Sequence, residues 1–441
     1  MNATITTSPA NDPADTAVSE QTTASPSTQR VFRPRDWHPW LLGLLVLGSL
    51  LLRVAWLDKP AGSLIFDEAY YVNSARVILG TASTDQAHYA DAPRGLDPNK
   101  EHPPLAKLLI AGAMQLFGDN AWGWRLASVL CGTGSIPLVY GIARRCGAAA
   151  APTLLATFCY AFDNLVFVHS RIATLDIFVV TFLLLGIYCF LSDWPVLAGF
   201  ALTLATLCKI SGLYGLAALV LFVGARLVRG HLATGRWDWT PCLPLLLLTG
   251  VYAITFIALL GLLDLRWGQI KNPFEHVAHI FRYGFALTRA NGPQGQESAP
   301  WQWLLNEVQM TYLRVDSQVI VNGATKETRP LIYFRGAMNS FIVFAVPFAI
   351  AHAAQSAWRR RDDLSFMVLA LFITTYLPYW PAALLAQRIS YIFYFLPTIP
   401  AVTLGIASFL YSRGVPRVVR WAFIGAVLLG FFGYFPFRHA P

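Results

Sequence analysis

The sequence predicts an all-α polytopic membrane protein, and three observations carry that prediction. Of its 441 residues 55% are hydrophobic and 13% charged, whereas a soluble domain carries about 25% charged residues. Apolar runs recur along almost the whole chain, many of them long enough to cross a bilayer as helices. The formal net charge of +9 gathers in short Lys/Arg-rich connections between alternate runs, the bias that orients membrane proteins. No zinc-finger or RNP-like pattern directs that charge toward nucleic acid.

Residues 1–36 are expected to form a disordered cytoplasmic tail, rich in Thr, Ser, Ala, Pro and Asp and lacking a periodic apolar face. They contain no short apolar core of a cleavable signal, so the first span remains as an anchor. Residues 37–441 then form one transmembrane domain. About eleven spans are expected within it, at 40–56, 122–142, 149–168, 174–191, 195–208, 210–228, 241–263, 336–358, 364–380, 392–411 and 418–435. Arg30, Arg33 and Arg35 precede the first of these and place the N-terminus in the cytoplasm. Arg144–Arg145, Arg226, Arg229, Arg359–Arg361 and Arg413 fall on that same side. Two long segments, 58–121 and 264–335, are left outside. The apolar run 105–117 would be about 20 Å long as a helix. That is too short to span, so it and the helix after Asp67 are expected to lie in the outer interface.

The external side gathers the chemistry-bearing residues. Asp67 and Glu68 stand side by side next to a span, a costly place for two carboxylates unless they have partners or work to do. They diverge by about 100° on a helix, so they face different surroundings. Asp67 also suits an N-cap of the helix that follows. His102 precedes Pro103–Pro104 at a helix start, where anions bind. Lys107 reads as an interfacial snorkelling lysine. Lys209 and Arg388 are cations at span ends, where an unpaired charge invites a bound anion. Arg171 and Asp176 are spaced to pair between two helices. The six cysteines (131, 146, 159, 189, 208 and 242) include no CxxC pair and read as buried hydrophobes, so no metal site or disulfide framework is expected.

Six stretches in order resemble the protein O-mannosyltransferase family. They are Phe66-Asp67-Glu68-Ala69-Tyr70-Tyr71, His102-Pro103-Pro104-Leu105, Trp124-Arg125-Leu126-Ala127-Ser128, Ser170-Arg171-Ile172-Ala173-Thr174-Leu175-Asp176, Lys209-Ile210-Ser211-Gly212 and Arg388-Ile389-Ser390-Tyr391 with the residues that follow. The resemblance spans residues from about 40 to 411 and implies a short, bacterial-type GT-C membrane glycosyltransferase, since the chain has no room for a β-trefoil insertion. It makes Asp67 the acid that activates the acceptor hydroxyl, with Glu68 its catalytic neighbour, and places His102 and Arg125 near the active site. Lys209, Arg388 and Arg171 complete the expected substrate-binding set, the first two toward the lipid phosphate.

The implied reaction is inverting transfer of a sugar, mannose in this family, from a polyprenyl phosphate to a Ser/Thr hydroxyl of an exported protein. It would occur at the outer face of the plasma (inner) membrane, among membrane lipids, without cofactor or divalent metal. Transfer of another sugar, such as aminoarabinose, to a lipid acceptor is the alternative. A transporter would show internal repeats and midplane charges, and the sequence shows neither. Whether the chain dimerises is left open.

Overall fold

Helices occupy each of the stretches expected to cross the membrane. The computed structural model describes residues 37–82, 88–321 and 324–437. The expected disordered tail at 1–36 lies outside the described residues. The chain begins with α1 (His38–Val54), and the segment after it supplies α2 (Glu68–Leu79) and α3 (Leu105–Phe117). Then come α4 (Ala121–Arg145), α5 (Ala150–Ala161), the short α6 (Asn164–His169), α7 (Asp176–Leu191), α8 (Pro195–Cys208), α9 (Leu213–Thr234) and α10 (Cys242–Trp267). The segment after α10 carries α11 (Pro273–Ala286), the single turn α12 (Pro300–Trp303) and an antiparallel hairpin of β1 (Met310–Val321) and β2 (Ala324–Gly336). The chain closes with α13 (Ser340–Arg359), α14 (Asp363–Tyr376), α15 (Tyr379–Leu384), α16 (Ile399–Leu410) and α17 (Arg417–Gly433).

Among the described residues, six helical stretches are long and apolar enough to cross a bilayer by length and composition, while α1, α5, α7 and α8 are apolar but shorter. Capping chemistry explains where several begin. Asn120, Asp163, Asn272, Asn339 and Asp362 each accept from first-turn amides of α4, α6, α11, α13 and α14, satisfying donors that have no partner within the helix. Asp163 also divides the run expected at 149–168 into α5 and α6. Its second oxygen accepts from the Asn339 amide at 3.0 Å, which ties the start of α13 to the break.

The hairpin is an addition to the all-α expectation. It occupies part of the segment that had been read only as a long, polar external stretch, 264–335. Its inner part alternates from Met310 to Phe334 around buried Tyr312, and the Tyr333 amide donates to the Pro436 carbonyl at 2.7 Å, closing the chain end onto β2.

α4 relates the two ends of the bundle. Arg125 lies in its second turn and Arg144 and Arg145 in its last, about 30 Å apart along the axis. The Arg145 end resembles that of α9, where Arg226 and Arg229 hold Asp363 at 3.1 and 2.7 Å. The Arg125 end meets Glu68 and the chain around Ala173. At mid-length α4 presses against the turn after α6: a Cβ on Gly132 would stand 2.1 Å from Ser170 Oγ and 2.4 Å from its Cβ. Only glycine permits that approach. Gly132→Ala is therefore expected to cost about 1–3 kcal/mol of stability, read as a lowered melting temperature in detergent.

Candidate active site

The site is built outward from one buried ion pair. Glu68, the first residue of α2, and Arg125 of α4 are 0% and 1% exposed. Arg125 donates from Nε to Glu68 Oε1 at 2.8 Å and from Nη2 to Oε2 at 2.9 Å. Two further hydrogens go to the carbonyls of Leu57 at 2.8 Å and Ser63 at 2.8 Å. Glu68 also accepts from the amides of Ile65 at 2.7 Å and Ala173 at 2.9 Å. One carboxylate and one guanidinium thus join the loop after α1, the start of α2, α4 and the approach to α7. Such a pair persists in an apolar interior only when its polar atoms are satisfied in this way.

Glu68, expected as the catalytic neighbour of Asp67, and Arg125, expected in the substrate set, are both enclosed and hydrogen-bonded to each other and to backbone. Arg171 was expected in the substrate set and as a partner of Asp176. Instead it is 1% exposed and donates to the carbonyls of Leu52, Ala55 and Trp56 at 2.7, 2.6 and 3.3 Å. It tethers the last turn of α1, where free carbonyls collect.

Asp67 is placed differently. Phe66 before it adopts a left-handed φ of 56°, an unfavourable conformation for an aromatic residue. Phe66 is held there by stacking on Tyr312 at 4.1 Å and by an edge contact with Phe393 at 5.5 Å. Asp67 itself takes helical angles, φ −67° and ψ −3°, and its side chain makes no capping hydrogen bond. The Tyr70 amide is satisfied by the Asp67 carbonyl at 2.9 Å instead. The capping role is therefore absent. The carboxylate is half-buried, reachable by water although protein surrounds most of it. Burial pushes it up to about 7, with Lys209 pulling down and Asp176 adding to the rise.

Lys209, between α8 and the 3-10 turn Ile210–Gly212, is not the unpaired cation expected: it binds Asp176 Oδ1 at 2.8 Å. Its ammonium also lies over the rings of Phe393 and Tyr394 at 5.3 and 5.1 Å. Burial opposes its charge, but Asp176, Tyr394 and Asp67 outweigh burial and hold it above the ordinary lysine range. Arg388 donates from Nε to the Gly284 carbonyl at 2.8 Å and sits 5.9 Å from the Tyr394 ring. His102 is held well below the ordinary histidine range by burial and then by Lys209, Lys107 and Arg388. It is therefore neutral, and its Nδ1 has no partner among the described residues.

Asp67, His102, Lys209 and Arg388 thus share one electrostatic neighbourhood, whereas Glu68, Arg125 and Arg171 support it from behind. One contributor escaped the sequence reading, and two others take roles different from those expected. Tyr312 of β1 covers Phe66 and hydrogen-bonds His169 Nε2 at 2.9 Å. Asp176 serves Lys209. Lys107 is fully buried and paired with Asp97, so it does not snorkel. The alternation of apolar residues after Met310 was the one signal for Tyr312. Among the described residues no group of three or more His, Cys, Asp or Glu side chains is arranged to hold a metal.

The fold is GT-C-like. In sequence the chain is similar to the protein O-mannosyltransferase family. The family profile described as dolichyl-phosphate-mannose-protein mannosyltransferase matches residues 101–255. The polyprenol-phosphate-mannose–protein mannosyltransferase of Mycolicibacterium smegmatis is 27% identical, over 86% of this chain and 84% of that one. That of Mycobacterium tuberculosis is 26% identical, over 86% and 82%. In architecture the chain resembles the Saccharomyces cerevisiae Pmt1-Pmt2 complex bound to the sugar donor, with a TM-score of 0.68 over 92% of this chain and 90% of that chain at 14% identity. It also resembles ArnT from Cupriavidus metallidurans bound to undecaprenyl phosphate, with a TM-score of 0.55 and 18% identity, over 89% of this chain and 62% of that one.

The two adjacent acids should separate in a stability experiment. Glu68→Gln leaves Arg125 buried beside an amide and is expected to cost about 3–5 kcal/mol. Asp67→Asn removes a carboxylate whose burial favours the protonated form. Because the folded state binds that proton more tightly, wild-type stability falls as pH rises from the ordinary carboxylate range to about 7. Asp67→Asn should therefore match wild type at low pH and melt higher above pH 7. Thermal melts of both variants across pH test the contrast.

Proposed function

We propose that the chain transfers mannose from a polyprenyl-phosphate carrier to a Ser or Thr hydroxyl of an exported protein, with inversion, at the outer face of the membrane. The names of the mycobacterial relatives support the donor and the protein acceptor. The observation that carries the mechanism is the state of Asp67. Glu68, Asp97 and Asp176 are each hydrogen-bonded to a cation, whereas the Asp67 carboxylate accepts no hydrogen bond among the described residues.

In this reading the acceptor oxygen attacks the anomeric carbon while the bond from that carbon to the phosphate oxygen breaks. The hydroxyl proton passes to Asp67, whose affinity near neutrality suits a general base. The bonding pair leaves with the lipid phosphate. Lys209 keeps hydrogens beyond the one given to Asp176, and Arg388 keeps its terminal nitrogens, so both stand ready for the growing phosphate charge. His102, neutral and with Nδ1 unused, adds a polar contact without adding charge. A single displacement needs one carboxylate, not the pair of a retaining glycosidase. No divalent ion is invoked in the mechanism: Glu68, Asp97 and Asp176 are each paired with a cation.

Asp67→Asn should lower transfer by about 10²–10⁴-fold in the purified protein, assayed with polyprenyl-phosphate mannose and a Ser/Thr peptide. The wild-type rate should rise with pH through about 7, and the variant's residual rate should lose that limb. A folded, fully active variant would remove Asp67 from the chemistry. Transfer only to a lipid acceptor would favour the ArnT-like alternative.

Orientation is tested separately. Tags at the N-terminus and in the 264–335 segment are expected on opposite sides of the membrane, the first in the cytoplasm, because the arginine-rich connections cluster at the end away from Asp67. Accessibility labelling of intact cells that found the N-terminal tag outside and the 264–335 tag inside would reverse the proposed side of the site.

A further inference from the structure

The loop that carries His102 is fastened at several points, and one of them has no place in the mechanism above. From α3, buried Lys107 reaches back to Asp97, to the Asn99 carbonyl and to the His102 carbonyl, the last at 2.9 Å. From the junction of α10 and α11, the Trp267 carbonyl accepts from the Asp97 amide at 2.7 Å. The remaining fastening is His276 of α11, 3% exposed, whose Nε2 lies 3.0 Å from the Lys100 carbonyl. Its Nδ1 lies 2.8 Å from Oδ1 of Asp264, a residue of α10 that is 0% exposed.

Both groups facing the imidazole are acceptors. A neutral ring donates from one nitrogen only, so the two contacts together require one more proton than a neutral histidine and an ionised aspartate possess. Whichever partner carries it, that proton lies between Asp264 and His276. Without it, one of the two contacts places acceptor against acceptor.

We propose that His276 and Asp264 form a proton-holding latch, with His276 a positioning residue that acts through the Lys100 carbonyl to hold His102 at the donor phosphate. The assignment rests on the proposed use of a lipid-phosphate donor. Loss of the proton at higher pH leaves the ring able to serve Asp264 or Lys100 but not both, and the loop carrying His102 loses a fastening. Other charged groups share these surroundings. Asp97 and His102 both sense His276 electrostatically, as does His279, which also senses Lys100, Glu101 and Arg282. Lys271 donates to the Asp264 carbonyl at 3.3 Å and Lys107 completes the set.

Asp264→Asn distinguishes the latch from these neighbours. An asparagine amide donates to Nδ1, a neutral ring then donates from Nε2 to Lys100, and both contacts survive without the shared proton. The experiment uses the full chain in detergent, titrated with a polyprenyl phosphate and assayed for transfer of the donor sugar across a pH series. His276→Ala is expected to weaken lipid-phosphate binding and raise donor KM about ten- to hundredfold, the usual effect of losing a charge-assisted hydrogen bond, with kcat little changed. Wild-type affinity is expected to fall more steeply as pH rises than that of Asp264→Asn, which keeps only the fall caused by ionisation of Asp67.

Unchanged affinity in folded His276→Ala overturns the proposal, as does an Asp264→Asn profile parallel to wild type. The second variant decides the matter if the first does not fold. Lipid-phosphate binding without sugar transfer by the wild type would defeat the proposed function while leaving the latch readable in the affinities. Failure of the native chain to bind the lipid phosphate would overturn both.

Discussion

The placement of the site depends on the buried contact between Glu68 and Arg125. A carboxylate and a guanidinium in so apolar a protein are tolerable only together, and breaking such a pair costs far more than the pair itself contributes. This makes the geometry close to all-or-none. With four backbone groups attached, the pair fixes where the loop after α1 ends, where α2 starts and how the chain enters α7. Asp67 is the residue before Glu68, so its position is set by a neighbour that it does not touch through its side chain. Adjacent positions on a helix diverge. That divergence lets one acid face an enclosed framework while the other stays partly exposed.

A second layer of positioning comes from aromatic groups. Phe66 occupies a left-handed conformation because Tyr312 and Phe393 grip its ring. Tyr312 is held in turn by His169, itself hydrogen-bonded to Thr174 at 3.1 Å. Phe393 and Tyr394 meanwhile lie beneath the Lys209 ammonium. The segment after α10 and the chain after Arg388 therefore meet at Asp67, although more than two hundred residues of sequence separate them from it. Strain at Phe66 is a local cost of order 1–3 kcal/mol, offset by this packing, and it turns the Asp67 carboxylate away from its own helix.

Much of the architecture was legible because a bilayer constrains sequence strongly. Apolar length and arginine placement located the helices, and the positions of Arg145, Arg229 and Arg361 matched one end of the bundle. Local breaks were harder to see. Asp163 interrupts an apolar run through caps to two different helices, and nothing in the run itself announces Asn339 as its partner. The chemistry-bearing residues were also visible, but their roles depended on pairing. Lys209 and Arg171 look alike in sequence, as cations near the ends of apolar stretches. Tertiary contacts make one a partner of Asp176 in the site and the other an anchor for α1. Tyr312 and His276 were obscured for a different reason: both lie in the segment after α10, where periodicity is weak.

Charge balance relates the framework to the reaction. Asp67 senses one cation, Lys209, and one other carboxylate, Asp176, while Lys209 and Arg388 both bear on His102, which is held neutral. If Asp67 is protonated, the group carries one net positive charge and accommodates a phosphodiester anion. If Asp67 is ionised, the group is neutral and the carboxylate is free to take a proton. An affinity near 7 allows both states at physiological pH. Had Asp67 been paired as Asp176 is, it would remain ionised and lose its basicity. Had it been buried as deeply as Glu68 without a cation, it would remain protonated. Its intermediate surroundings, with Lys209 shared between two acids, keep it between those limits.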